Sequence, residues 1–441
     1  MSNEFSISAE WSSAGDGLPE VRETSALLSI QLGAHVATRA EDQWSKSVHT
    51  SVRVSAYPLA LWLAGSWWRL RWEPSFESVR MTRAWRMAHE ISSAGYGFVW
   101  PQLVFESDGE NIDATCYPSK PATAEPIRYL EYFRESISAK QFEYAVDQFV
   151  SLVVARLDAV GVRDSHLQRL WQEVKDEQGS PEVTTHRRFE AQLGFEPDEA
   201  PENLVNQLRT LAANVGDSAI SEVAPACAGE NPEEALRAVV NLANSNGFEG
   251  KLDVPRSVDN FVGSREFTEG MPWDRGRKLA HAARVACGLG GVPVSNKALA
   301  DILGIPERAL ETDGNVPDHL PLALAVRNGD ARKCRFMFRR KAETGRRFEA
   351  ARLLSDFMFA SMKDRWLPAT DAKTVRQKLQ RAFSAEFLCP ISSLKHLLQG
   401  DYSSDSLDEA GYYFGVSPLA IRSHLANHGL IPTIGVDLYS T

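Results

Sequence analysis

The stretch Gly345-Arg346-Arg347-Phe348-Glu349-Ala350-Ala351-Arg352-Leu353-Leu354-Ser355-Asp356-Phe357 opens a helix, and what leads into and out of it decides how the C-terminal part folds. Ahead of it, residues 320–326 form an apolar run of strand length, and residues 333–339 alternate as a half-buried strand does. Together they predict a hairpin feeding straight into the helix at Arg346. Behind it the pattern predicts a helix over 372–387, a break at Pro390 and a helix over 391–398. Two more, 406–414 and 418–428, flank the turn Gly415-Val416-Ser417. Ser417 suits an N-cap because its hydroxyl can accept a free amide of the first turn. Pro418 suits the first helical position, where its missing N–H is not needed.

Four of these pieces, in this order and spacing, resemble the ImmA/IrrE metallopeptidase family, whose gluzincin-like α+β domain occurs in bacterial regulators, mobile elements and defence loci. They are the strand followed by Arg346-Arg347-Phe348, the helix that in the family carries the zinc motif HExxH, the segment Ala382-Phe383-Ser384-Ala385-Glu386-Phe387-Leu388-Cys389-Pro390 where the family has a phrase such as FAAELLMP, and the helical pair around Phe414-Gly415-Val416-Ser417. The resemblance runs from about Trp273 to the end. Placed on the motif, Arg352 stands at the first zinc histidine, Leu353 at the catalytic glutamate and Asp356 at the second histidine. The family's third ligand falls near Lys378 or Leu379, while Glu386 matches a glutamate of the phrase and is read as structural.

Catalytic zinc needs three protein ligands and an open position for water, and a general base must take that water's proton. Arginine stays protonated and has no lone pair to give, leucine cannot act as a base, and one carboxylate does not hold zinc. Peptidase chemistry by this mechanism is therefore lost, and no catalytic residue, metal or cofactor is expected. Arg352 and Asp356, one turn apart, could pair across the old active-site face, worth about 0.2–0.5 kcal/mol if exposed.

The same stretch is strongly basic. Arg327, Arg332, Lys333, Arg335, Arg339, Arg340, Lys341, Arg346, Arg347 and Arg352 face only Asp330, Glu343 and Glu349, in a chain of net charge −10. With Phe336 and Phe338 interleaved, the cluster is a candidate for phosphate contact; a solvated sheet edge guarded by charge is the alternative. Arg335, Arg339, Arg340, Lys341, Arg346 and Arg347 are the candidate residues for binding nucleic acid or a partner.

The remainder carries less chemistry. Eight of the eleven tryptophans precede residue 121, where they either fill the core of a small sheet or form a recognition surface. Residues 52–56, 67–73, 98–101 and 103–106 read as strands, the last followed by a turn at Ser107-Asp108-Gly109-Glu110, and 82–94 as a helix. His89-Glu90-Ile91-Ser92-Ser93 begins like HExxH, but Ser93 stands where the second ligand would be. Residues 127–245 are mostly helical, including 142–157, 203–215 and 232–244 with Asn231 as cap. The expected fold is α+β in three parts: a Trp-rich α+β module over 1–125, a helical spacer or interaction region over 126–255, and a gluzincin-like, mostly helical domain with a small sheet over 256–441. A linker is expected at 121–126. Five scattered cysteines without a CxxC pair suggest neither a disulfide framework nor a cysteine zinc site. The first residues lack a basic segment leading into an apolar run, and no apolar run reaches membrane length, so a cytoplasmic chain without membrane contact is expected.

The resemblance and its degenerate motif together imply a catalytically inactive ImmA/IrrE-like protein. It would act as sensor, adaptor or regulator in a phage-defence, toxin–antitoxin or mobile-element setting, with a protein partner. Two other readings stay open. One is a DNA-binding regulator using the basic hairpin and the C-terminal helices. The other is a zinc peptidase with ligands from elsewhere, such as His89 with Glu90, or His396, His424 and His428.

Overall fold

Alternation in residues 25–32 buries Ala26, Leu28, Ile30 and Leu32 on one face, and this strand seeds the first sheet. In the computed structural model, which describes residues 4–12, 17–76, 82–120, 125–311, 320–328 and 332–432, the chain is α+β and divides into two units. The first comprises Met1–Ser75 with Val79–Pro201, and the second Phe76–Ser78 with Glu202–Thr441. This grouping differs from the three-part expectation: helices of the middle region are shared between the units. The expected linker lies, up to residue 124, outside the described residues. Among the described residues, no helix is long and apolar enough to cross a membrane.

In the first unit, β1 (Phe5–Trp11), β2 (Ser25–Leu32) and β3 (Val52–Ser55) form an antiparallel sheet with β2 between its partners. A second sheet has β4 (Gln102–Ser107), β5 (Asn111–Tyr117) and β6 (Phe133–Ser138), with β4 and β5 joined by the turn expected after residue 106. Helices α1 (Ala56–Gly65), α2 (Trp67–Trp72), α3 (Arg83–His89), α4 (Ala139–Ala159), α5 (His166–Gln178) and α6 (Pro181–Gln192) pack with these sheets. Residues 67–72 are thus a helix, not a strand, and residues 98–101 are irregular. Trp67, Trp68, Trp85 and Trp100 are core, while Trp44 is 92% exposed.

The second unit begins with α7 (Glu202–Val215), α8 (Asp217–Ala226) and α9 (Pro232–Asn244). Asn231 precedes α9 but its side chain makes no capping bond. Then come β7 (Phe248–Lys251), α10 (Pro272–Ala286) and α11 (Asn296–Leu303). The hairpin is β8 (Ala323–Arg327) with β9 (Lys333–Met337), and it feeds α12 (Glu343–Phe359). After β10 (Trp366–Ala369) follow α13 (Val375–Leu388), α14 (Ile391–Leu398), α15 (Ser404–Phe414) and α16 (Pro418–Asn427). The sheet order is β7-β9-β8-β10, all antiparallel. Every residue of β8 is buried, as befits an interior strand between two neighbours.

Caps set the helix boundaries around α12. Thr374 Oγ1 accepts the Gln377 amide at the start of α13, and Ser417 Oγ accepts the Ala420 amide at the start of α16, with Pro418 in the first turn. α15 ends at Gly415, whose φ of +64° is a left-handed position that favours glycine. Gly276 of α10 lets that helix approach α13 closely: a Cβ there would stand 2.5 Å from the Leu379 carbonyl oxygen.

Candidate functional site

Helix α12 is enclosed rather than facing a cleft. Ala350, Ala351, Leu353 and Leu354 are fully buried in the apolar core of the second unit. Arg352 is 4% exposed; its Nη2 donates to the Thr370 carbonyl at 2.5 Å and to Oε1 of Gln377. Gln377 Oε1 also accepts the Thr370 amide, and its Nε2 donates to the Pro368 carbonyl.

Asp356 is fully buried, and both its oxygens are taken by Arg376 of α13, Nε to Oδ1 and Nη2 to Oδ2, each at 2.7 Å. Arg376 Nη1 donates to Oδ2 of Asp364 at 3.0 Å and to Ser218 Oγ at 3.2 Å. Ser218 in turn donates to Asp364 at 2.5 Å. Glu222, also buried, accepts from Thr374 Oγ1 at 2.6 Å; burial pushes its carboxyl above the ordinary range despite the nearby Arg376. The bidentate partner of Asp356 is therefore Arg376, not its helix neighbour Arg352. Leu379, where the resemblance puts a third ligand, is core, and Lys378 beside it is part-buried.

The basic stretch is largely turned inward. Arg346, 1% exposed, donates to the Ala309 and Arg340 carbonyls at 2.7 and 3.0 Å and lies over the Phe338 ring. Arg347 donates to the carbonyls of Gly415 and Val294 and to Asn296 Oδ1. Arg339 pairs with Glu349 at 2.9 Å and Asp371 at 2.6 Å. Burial would raise the Asp371 carboxyl, but Arg339 outweighs this and holds it below the usual range. Arg335 reaches the Ala243 carbonyl at 2.6 Å. Arg327 donates to the carbonyls of Phe357 in the last turn of α12, of its C-cap Ala360, and of Ser361 and Asp364 in the segment that follows. Phe336 and Phe338 are buried. Of the six candidates for nucleic acid or partner contact, Arg340 and Lys341 are the exposed ones.

The four candidate histidines separate into three places. His89, in the first unit, is fully buried, stacked on Trp85 at 4.1 Å. Its Nδ1–H donates to the Phe105 carbonyl at 3.0 Å, and its Nε2 lies 3.0 Å from Glu73 Oε2. Burial would raise the Glu73 carboxyl; His89 and Arg69 outweigh this and keep it low. Glu90 is bonded instead to Arg86 and Ser92. His396, in the second unit, lines a shallow cleft with Ser392, Ser393 and Tyr413.

His424 and His428, one turn apart at the end of α16, meet Glu386 of α13. Their ligand-capable atoms all lie within 4.8 Å of one another. His424 Nε2 is 3.4 Å and His428 Nε2 3.9 Å from Glu386 Oε2. Sequence reasoning did not group Glu386 with these histidines, and His396 does not join them. The one available signal was the i,i+4 spacing of His424 and His428, which puts both on one helical face.

Compared with family profiles, curated proteins and solved structures, the chain gives no match.

Proposed function

We propose that the chain is a catalytically inactive ImmA/IrrE-like protein that works by binding, as sensor, adaptor or regulator of a bacterial defence, toxin–antitoxin or mobile-element system. The observation that carries this reading is the closure of the helix that would hold the zinc motif. Asp356 has both oxygens engaged by Arg376, Arg352 is bonded to Thr370 and Gln377, and Leu353 is core. A hydrolytic site needs ligands with free lone pairs and room for a water and a substrate carbonyl. The three motif positions offer neither. A DNA-binding role has narrower support, since Arg339, Arg346 and Arg347 are engaged internally and leave Arg340 and Lys341 as exposed candidates.

The test is proteolysis. Purified full-length chain, supplied with Zn²⁺ and an unfolded protein substrate such as reduced casein, is expected to cleave nothing above a metal-free control. Zinc-dependent cleavage abolished by Asp356→Asn would overturn the reading.

A further inference from the structure

We propose that Glu386, His424 and His428 form a binding site for a zinc-class divalent metal ion that clasps α16 to α13. Three observations carry it. First, the donor set is two imidazole nitrogens and one carboxylate oxygen, a composition suited to Zn²⁺ with one position left for water. Second, the geometry fits. On a tetrahedral zinc with bonds of about 2.0–2.1 Å, two ligand atoms stand about 3.3 Å apart. The His424 Nε2 to Glu386 Oε2 separation is 3.4 Å, and the whole set falls within 4.8 Å, so small side-chain rotations bring all three onto one ion. Third, the three atoms that point inward, Glu386 Oε2, His424 Nε2 and His428 Nε2, are shielded from solvent and, although both imidazoles stand at ion-pair distance from the carboxylate, none makes a well-aligned hydrogen bond among the described residues. His424 is 5% exposed. Buried polar atoms left without partners cost stability, and three of them converging on one point is what a ligand removes.

The surroundings suit a metal ligand set. Glu386 Oε1 accepts the Ile391 amide at 3.2 Å, which fixes the carboxylate so that Oε2 faces the histidines. Two arginines, Arg277 and Arg284, lie near the site. Arg277 is itself paired with Asp274, and Arg284 is spent on the carbonyls of Gly290, Val292 and Phe387. The His428 side chain is 20% exposed, which gives an entry path from solvent. Glu386 serves as a ligand here and is not left over as a base, so the site is proposed to bind rather than hydrolyse. It is separate from the α12 motif positions, and the reading of those does not depend on it.

The experiment uses the full chain stripped with EDTA and then titrated with Zn²⁺, followed by calorimetry and by metal analysis after dialysis. One Zn²⁺ per chain is expected. His428→Gln and Glu386→Gln should each weaken binding by more than the roughly 10–100-fold that loss of an outer-shell partner costs. His396→Gln should leave it unchanged. Zn²⁺ should raise the melting temperature of the wild type and not that of His428→Gln, whose circular dichroism verifies folding; the more deeply buried His424 is left in place. Absence of stoichiometric binding by the wild type, or binding that survives His428→Gln combined with Glu386→Gln, would overturn the proposal.

Discussion

Replacing Arg376 by methionine tests the closed polar core beneath α12 most directly. The side chain makes two bonds to Asp356 at 2.7 Å, one to Asp364 at 3.0 Å and one to Ser218 at 3.2 Å. Asp356 is fully buried and Asp364 is 2% exposed, so neither can turn to water when the guanidinium is gone. Removing one partner of a buried ion pair costs about 3–5 kcal/mol, because the other charge is left uncompensated. At about 2–4 °C per kcal/mol for a unit of this size, the transition of the second unit should fall by about 6–20 °C. Asp356→Asn should cost less, about 1–3 kcal/mol, since asparagine keeps an acceptor and Arg376 keeps Asp364. Scanning calorimetry, with urea unfolding as a second measure, reads both values. An Arg376→Met chain within about 1 kcal/mol of wild type, or an Asp356→Asn chain costlier than Arg376→Met, would refute the network as drawn.

Other outcomes follow from the same packing. Asp371 has its carboxyl held low in the folded state, so its contribution is fully present above the unfolded value of about 3.9 and is lost as pH falls from there through the lower folded value. The wild type should therefore lose more stability between pH 5 and pH 3 than Asp371→Asn does in urea unfolding; equal losses would contradict the Arg339 pairing. Gly276→Ala, which would gain about 1 kcal/mol in an exposed helix, should instead destabilise by about 1–3 kcal/mol because its Cβ meets α13 backbone at 2.5 Å; a raised melting temperature refutes that contact. Restoring the zinc motif with Arg352→His, Leu353→Glu and Asp356→His should give an insoluble or unfolded chain, since it buries a carboxylate at a core position and strands Arg376. Soluble yield and circular dichroism report this, and a folded triple variant with zinc-dependent cleavage would refute it.

Much of the second unit's layout was legible because it rests on local signals. The hairpin before α12, the Ser417 cap with Pro418, and the glycine at 415 are each set by residues within a few positions. Residues 67–72 misled because a six-residue run is too short for alternation to exclude a helix, and Ser66 simply continues the chain from α1. The arginines' partners are hidden for a different reason. Charge is visible in a sequence, but the acceptors of Arg346 and Arg347 are main-chain carbonyls at Ala309, Val294 and Gly415, which every sequence possesses and none advertises. Asp356 is the one carboxylate among the three motif positions, yet its partner Arg376 depends on how α13 crosses α12. Glu386 and His424 likewise meet only because α13 and α16 pack together, a relation between segments far apart in the chain.

The cap that Arg327 places on α12 has a dynamic consequence. A helix end normally frays, because its last carbonyls trade partners with water. Here the carbonyl of Phe357 in the last turn, that of the C-cap Ala360, and those of Ser361 and Asp364 in the segment that follows all accept from one buried guanidinium that is rooted in the interior strand β8. The amides of α12 should then open to hydrogen exchange only when the sheet opens with them, as one cooperative block. A conformational change of the second unit that leaves the sheet intact has to begin outside that block.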